Sequence, residues 1–80
     1  MKIPAIKKLV EQYEVSELEA AEEQLMEEQT PEITVEGADE GEQLTHVIAA
    51  IWIKNKMNED GDEFKVALRA YTQRVRNSIS

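Results

Sequence analysis

The chain has 80 residues and a mass of 9.1 kDa, with 41% hydrophobic and 32% charged residues. A chain of this size and composition forms one soluble domain, here over residues 1–80, and leaves little room for a deep substrate pocket. The net charge of −8 argues against nucleic acid and against an anionic membrane surface as partners. The absence of cysteine excludes a disulfide framework and thiolate chemistry.

Neither an export signal nor a membrane span is evident. Lys7 and Lys8 interrupt the apolar residues that follow Lys2 too early for a signal peptide. The longest uncharged run, residues 43–53, would span as a helix only about 16 Å, half of a bilayer core. We therefore expect a cytoplasmic protein with no membrane partner.

Apolar residues at steps of three and four predict four helices, at about residues 4–13, 16–28, 40–58 and 63–78. Pro4 suits the first position of the first helix because its φ is fixed near the helical value. Ser16 and Glu19 fit a capping box at the start of the second helix. Gly61 is the predicted left-handed C-cap of the third helix, and Asp62 the predicted N-cap of the fourth.

The third helix is apolar on two faces. Its first face carries Leu44, Val47, Ile48 and Ile51, with Trp52 beside them. Its second face carries Ala49, Ala50, Ile53 and Met57. Because a helix that is apolar nearly all round must be surrounded, we predict a mainly α fold, a small four-helix array around this central helix. One short extended segment, 32–36, interrupts the helices and either packs as a strap or pairs with the same segment of a second copy.

The second apolar face of the third helix predicts a homodimer. Its two alanines would let another helix approach closely, and an exposed apolar patch of this kind is unusual in a monomer. The alternative is that the first two helices cover this face within the chain. On this basis we expect a protein-interaction module that binds itself or another protein, and not an enzyme.

Charged residues form two stripes. The acidic stripe lies on the second helix and consists of Glu19, Glu23 and Glu27. The basic stripe lies on the fourth helix and consists of Lys65, Arg69 and Arg76. Because Phe64 and Tyr71 fall on the apolar face of that helix, the basic stripe lacks the aromatic partners of a nucleic-acid surface. We expect the two stripes to face each other, within the chain or between two copies.

Glu42 and His46 suggest a second possible function. They lie one helical turn apart, so that a carboxylate and the only imidazole share one face, as in a metal site or an acid–base pair. The pair supplies only two ligands, which favours a surface or interface histidine and no cofactor. The acidic turn 58–62 does not fit a calcium loop, and no nucleotide-binding motif occurs. A small-ligand or metal-binding protein that uses Glu42 and His46 remains the alternative to an interaction module.

Three segments of the sequence carry a family resemblance. They are Met-Lys-Ile-Pro-Ala-Ile-Lys-Lys-Leu-Val at 1–10, Gly-Glu-Gln-Leu-Thr-His-Val at 41–47 and Arg-Val-Arg-Asn-Ser-Ile at 74–79. In these segments the chain resembles a family of short, acidic, uncharacterised proteins of Bacteroidetes bacteria. The resemblance implies a cytoplasmic bacterial protein and assigns neither an activity nor a functional residue.

Overall fold

The structure is a computed structural model that describes residues 2–79, without the side chain of Ile79. Within this part of the chain there are four α-helices and no strand. They are α1 (Ile3–Gln12), α2 (Val15–Met26), α3 (Glu40–Asp60) and α4 (Phe64–Ile79). The mainly α fold predicted from the sequence is confirmed. None of the described helices combines the length and the hydropathy needed to cross a bilayer.

The longest helix, α3, is the centre of the fold. Helices α1, α2 and α4 each pack on it, and the assembly measures 31 × 29 × 19 Å. Residues 27–39 run from α2 to α3 without forming a helix, and we call them the strap. Val35 in the strap is buried in the core, and Ile33 packs against the core from a half-buried position. The predicted extended segment therefore lies across the helices as a strap.

Both ends of α3 are capped, and the cap at its C-terminal end is the one that the sequence predicts. At its start the carboxylate of Asp39 accepts a hydrogen bond from the backbone N–H of Glu42 at 2.8 Å. This bond satisfies a donor that has no partner inside the helix. At its end Gly61 adopts a left-handed conformation with φ of 69°, and its N–H donates to the carbonyl of Met57 at 2.9 Å. A side chain at this φ would be strained, so glycine suits the turn into α4.

Three predicted helix starts, at 4, 16 and 63, lie one residue from the observed starts, and in α2 and α4 the predicted capping residue is also wrong. Helix α2 begins at Val15, one residue before Ser16, and the cap at its start is the bond from the N–H of Glu14 to the carboxylate of Glu17 at 3.0 Å. At the start of α4 the carbonyl of Glu63, not Asp62, accepts the first helical hydrogen bonds. In α2 and α4 a neighbouring residue pairs with the free backbone groups instead of the predicted one. The residue types alone do not show which of the neighbouring residues forms the cap.

The second apolar face of α3 is not exposed to a partner. Ala49, Ala50 and Ile53 are each 0% exposed, and Met57 is half-buried. Ala49, Ala50 and Ile53 are thus completely buried within one chain, where α1, α2 and α4 all pack on this helix. The prediction of a dimer interface is therefore wrong for these three residues, and for Met57 it stays a prediction. The side of α3 that remains partly open is the other one, where Ile48 is 40% exposed.

Candidate functional site

His46 is a buried residue that joins three segments of the chain. Its side chain is 0% exposed, and its Nε2 accepts a hydrogen bond from the backbone N–H of Lys2 at 2.9 Å. Its Nδ1 lies 2.7 Å from the carbonyl oxygen of Glu36 in the strap. Because the backbone N–H can only donate, Nε2 must be the acceptor and Nδ1 must carry the proton. The expectation of a surface or interface histidine is wrong, since Lys2 and the strap cover the ring.

Glu42 does not act together with His46. Its carboxylate accepts a hydrogen bond from the backbone N–H of Ala38 at 3.1 Å, so it holds the strap at the start of α3. Both ring nitrogens of His46 are engaged with the backbone, which leaves none to coordinate a metal. Within residues 2–79 no three His, Asp or Glu side chains are grouped as metal ligands would be. The prediction of a ligand or metal site at this pair is therefore wrong.

The two charged stripes are exposed and are not paired within the chain. The ion pairs of the described residues join Lys8 to Glu36 at 3.5 Å, and Lys56 to Asp60 at 2.7 Å and to Asp62 at 3.7 Å. None of them joins the acidic stripe of α2 to the basic stripe of α4. No ion pair of the described residues therefore supports pairing of the stripes inside the chain, and their pairing within the chain or between two copies stays a prediction.

An apolar surface lies along the outside of the hairpin that α3 and α4 form. The rings of Trp52 and Tyr71 pack with their centroids 5.6 Å apart and their planes tilted by 53°. Ile48 lies one helical turn before Trp52 on α3, and Val75 lies one helical turn after Tyr71 on α4. They are 40% and 38% exposed. We call these four residues the outer face.

An open groove of about 520 Å³ lies between the end of α2, the strap and the start of α3. Its apolar lining comes from Leu25, Ile33 and Val35, and Glu32 and Glu40 add carboxylates. Among the described residues no buried side-chain nitrogen or oxygen lacks a hydrogen-bond partner. No buried group without a hydrogen-bond partner is therefore directed into the groove among these residues.

Sequence reasoning missed the residues that join distant parts of the chain. Lys2 contacts His46 across 44 positions, and the ammonium group of Lys54 reaches the carbonyl of Val10 at 2.7 Å across another 44. The carbonyl of Val10 lies in the last turn of α1, where it has no partner inside the helix and where positive charge is favourable. A backbone partner leaves no mark in the residue types, so only the fold reveals these contacts.

Comparison with protein-family models gives a match over residues 1–80 to a family of unknown function, DUF6952. Neither the curated proteins nor the solved structures contain a match to the chain. The family match therefore covers the whole fold described above and assigns no role to any residue in it.

Proposed function

The chain belongs to the DUF6952 family, and because that family has no assigned activity, we propose from the structure that it is a non-enzymatic protein-interaction module that acts as a homodimer. The observation that carries this proposal is the outer face, where apolar side chains of α3 and α4 lie together and partly open. The engagement of both nitrogens of the only histidine in holding the fold supports a non-enzymatic role.

The weak burial of α4 supports a docking role for this side of the molecule. Helix α4 has 16 residues, yet among its described side chains only Ala67 is fully buried. The larger apolar side chains of Phe64, Leu68 and Tyr71 are half-buried, and Val75 is more exposed. Apolar area that is still in contact with water contributes about 25 cal/mol per Å² when a partner covers it. Helix α4 would therefore gain stability from a partner on its open side.

A second copy is the partner that this surface fits best. A two-fold axis places the same patch of two chains against each other. An apolar patch then contacts an identical apolar patch, and no second, complementary surface is needed. Two helical hairpins that pack in this way form a four-helix arrangement, a common and stable packing of helices. Each copy would cover the Ile48 and Val75 side chains of the other.

We also propose a cellular location and a class of partner for the protein. The family resemblance of the sequence supports a cytoplasmic location in a bacterium of the Bacteroidetes. The net charge of −8 supports a protein partner and neither nucleic acid nor a membrane. We assign no cofactor.

Sedimentation equilibrium at micromolar concentration tests the homodimer. We expect the wild-type chain to sediment at twice its mass of 9.1 kDa. Ile48→Asp and Val75→Asp should each shift it to the monomer, because a carboxylate would be buried without a partner at the interface. Val66→Asp is the matched control, since Val66 is a 48% exposed valine of α4 on the flank away from Val75.

Circular dichroism of the same variants shows whether each still folds. A wild-type chain that stays at 9.1 kDa at the highest concentration would contradict the homodimer. A dimer that survives both outer-face substitutions would contradict the assignment of this face.

A further inference from the structure

The groove between the end of α2, the strap and the start of α3 is built from an acidic part of the chain. Residues 25–43, which supply its lining, contain seven acidic residues and no lysine or arginine. The exposed carboxylates of Glu32 and Glu40 lie in this lining, and neither forms an ion pair or hydrogen bond with another described residue. The groove therefore offers two free negative charges to a positively charged partner.

The floor of the groove is apolar. Leu25 from α2 and Val35 from the strap are 5% and 8% exposed, and Ile33 is half-buried. Apolar side chains that enter the groove would leave water, which is favourable. An occupant that combines positive charge with apolar side chains therefore fits the groove better than a bare cation does.

The strap also offers backbone groups to an occupant. Ile33 and Thr34 line the groove, and neither hydrogen-bonds to another residue of the part of the chain that the structure describes. Their backbone N–H and C=O groups are thus left to pair with water. Burial alternates here, because Ile33 and Val35 are covered whereas Glu32, Thr34 and Glu36 are exposed, as in a strand with one buried face. An extended peptide can replace the water by adding its own backbone alongside the strap.

This chain does not itself supply such a peptide among its described residues. Apart from Lys2, every lysine and arginine lies in a helix, so no basic segment is extended. The strap of a second copy is extended but carries Glu32 and Glu36, so two paired straps would bring like charges together. Nucleic acid and anionic lipid are repelled by the same carboxylates. The occupant that fits is a segment of another protein.

We propose that the groove binds an extended, basic segment of a partner protein in which apolar residues alternate with lysine or arginine. The backbone of the segment pairs with the strap at Ile33 and Thr34, and its apolar side chains pack on the floor. Its basic side chains contact Glu32 and Glu40. None of the four outer-face residues lines the groove, so this inference goes beyond the homodimer and does not depend on it.

Fluorescence anisotropy with a labelled peptide of alternating lysine and valine, Lys-Val-Lys-Val-Lys-Val-Lys, tests the groove at low salt. We expect saturable binding to the wild-type chain and a Kd about tenfold higher for the Glu32→Lys/Glu40→Lys double variant. The matched control is Glu11→Lys/Glu59→Lys, which makes the same change of charge at exposed acids outside the groove. Glu59 lies about 28 Å from Glu40 along α3. This control should keep the Kd within about twofold of wild type.

A second peptide tests the backbone pairing. The same sequence with N-methylated valines keeps its charge but loses alternate backbone donors, so it should bind at least about tenfold more weakly. Circular dichroism shows whether each protein variant still folds. An equal rise in Kd for both double variants would show that net charge alone attracts the peptide, which would overturn the groove. Equal binding of the N-methylated peptide would overturn the extended pairing.

The state of association separates this proposal from the homodimer. If Glu32→Lys/Glu40→Lys dissociates the dimer, a second copy occupies the groove and the proposal is overturned. If the wild-type chain is monomeric but binds the peptide with the expected dependence on Glu32 and Glu40, the homodimer is wrong and the groove is supported. A wild-type chain that shows no saturable binding of the peptide would overturn the groove, whether or not the chain dimerises.

Discussion

The Nδ1–H of His46 donates to the backbone carbonyl of Glu36 across 2.7 Å. Together with the bond from Lys2 to Nε2, it ties the N-terminal end of α1 and the strap to the middle of the fold. The ring is fully buried, so neither partner can be replaced by bulk water without opening the structure. The imidazole thus pairs with one backbone donor and one backbone acceptor that belong to two separate segments of the chain.

Replacing this ring tests how much the two bonds contribute. His46→Phe keeps an aromatic ring of similar size but leaves the Lys2 N–H and the Glu36 carbonyl without their partner. We expect a loss of about 2–4 kcal/mol in the free energy of unfolding, measured by urea denaturation. Thr45→Ala, at an exposed neighbour on the same helix, should change it by less than about 0.5 kcal/mol. Equal effects of the two substitutions would contradict the role of the ring.

A second prediction concerns the close approach of Gly37 to α3. A Cβ at this position would lie 2.7 Å from Cγ and 2.8 Å from the backbone nitrogen of Gln43. Since the backbone of α3 cannot yield, Gly37→Ala should push the strap outward and weaken the hydrogen bond from Gln43 to Val35. We expect a destabilisation of about 1–3 kcal/mol in the same urea titration. Ala38→Ser, at the exposed next residue, is the control, and a Gly37→Ala variant as stable as this control would show that the strap is not held there.

The sequence predicts an interaction of this fold better when its partners lie close together along the chain. The caps of α3 at Asp39 and Gly61 are local, because each bond spans a few residues, and the predicted C-cap at Gly61 is confirmed. The two apolar faces of α3 follow from periodicity alone. Which of them is covered does not, because this depends on where the other helices pack. Ala49, Ala50 and Ile53 on one face and Val47 on the other are fully buried, whereas Ile48 is 40% exposed, so the expectation that the face with Ala49 is the uncovered one is wrong.

The candidate sites were less predictable than the helices. Glu42 and His46 are correctly placed one turn apart on α3, but their partners are backbone groups of Ala38, Lys2 and Glu36. Backbone groups are present at every residue, so no pattern of residue types marks them as partners. The charged stripes are visible in the sequence, whereas the lack of an ion pair between them among the described residues depends on the packing of α2 and α4 on α3.

A third prediction concerns the contact between Lys54 and α1. Lys54→Met keeps most of the side-chain length but removes the ammonium group that donates to the Val10 carbonyl at 2.7 Å. We expect a loss of about 1.5 kcal/mol, since the bond is charge-assisted and lies at the negative end of the helix. Amide hydrogen exchange should speed up in the last turn of α1 more than in α2. Lys7→Met, at an exposed lysine of α1 itself, should leave this exchange unchanged, and the same acceleration in both variants would contradict the contact.

The last prediction concerns Lys56 at the end of α3. Its hydrogen bond to Asp60 raises the pKa of the ammonium group above the ordinary value of 10.5, and the charge of Asp62 adds to the effect. Because the folded-state pKa is raised, the pair stabilises the fold at pH values below 10.5, and this contribution is lost as the pH rises through the raised value. Asp60→Asn should lower the pKa of Lys56 in an NMR titration of its side chain, and Asp62→Asn should lower it less, since that distance is 3.7 Å rather than 2.7 Å. Glu59→Gln removes an exposed acid that forms no ion pair with Lys56, so an equal shift in this variant would show that net charge, rather than the Asp60 contact, raises the pKa.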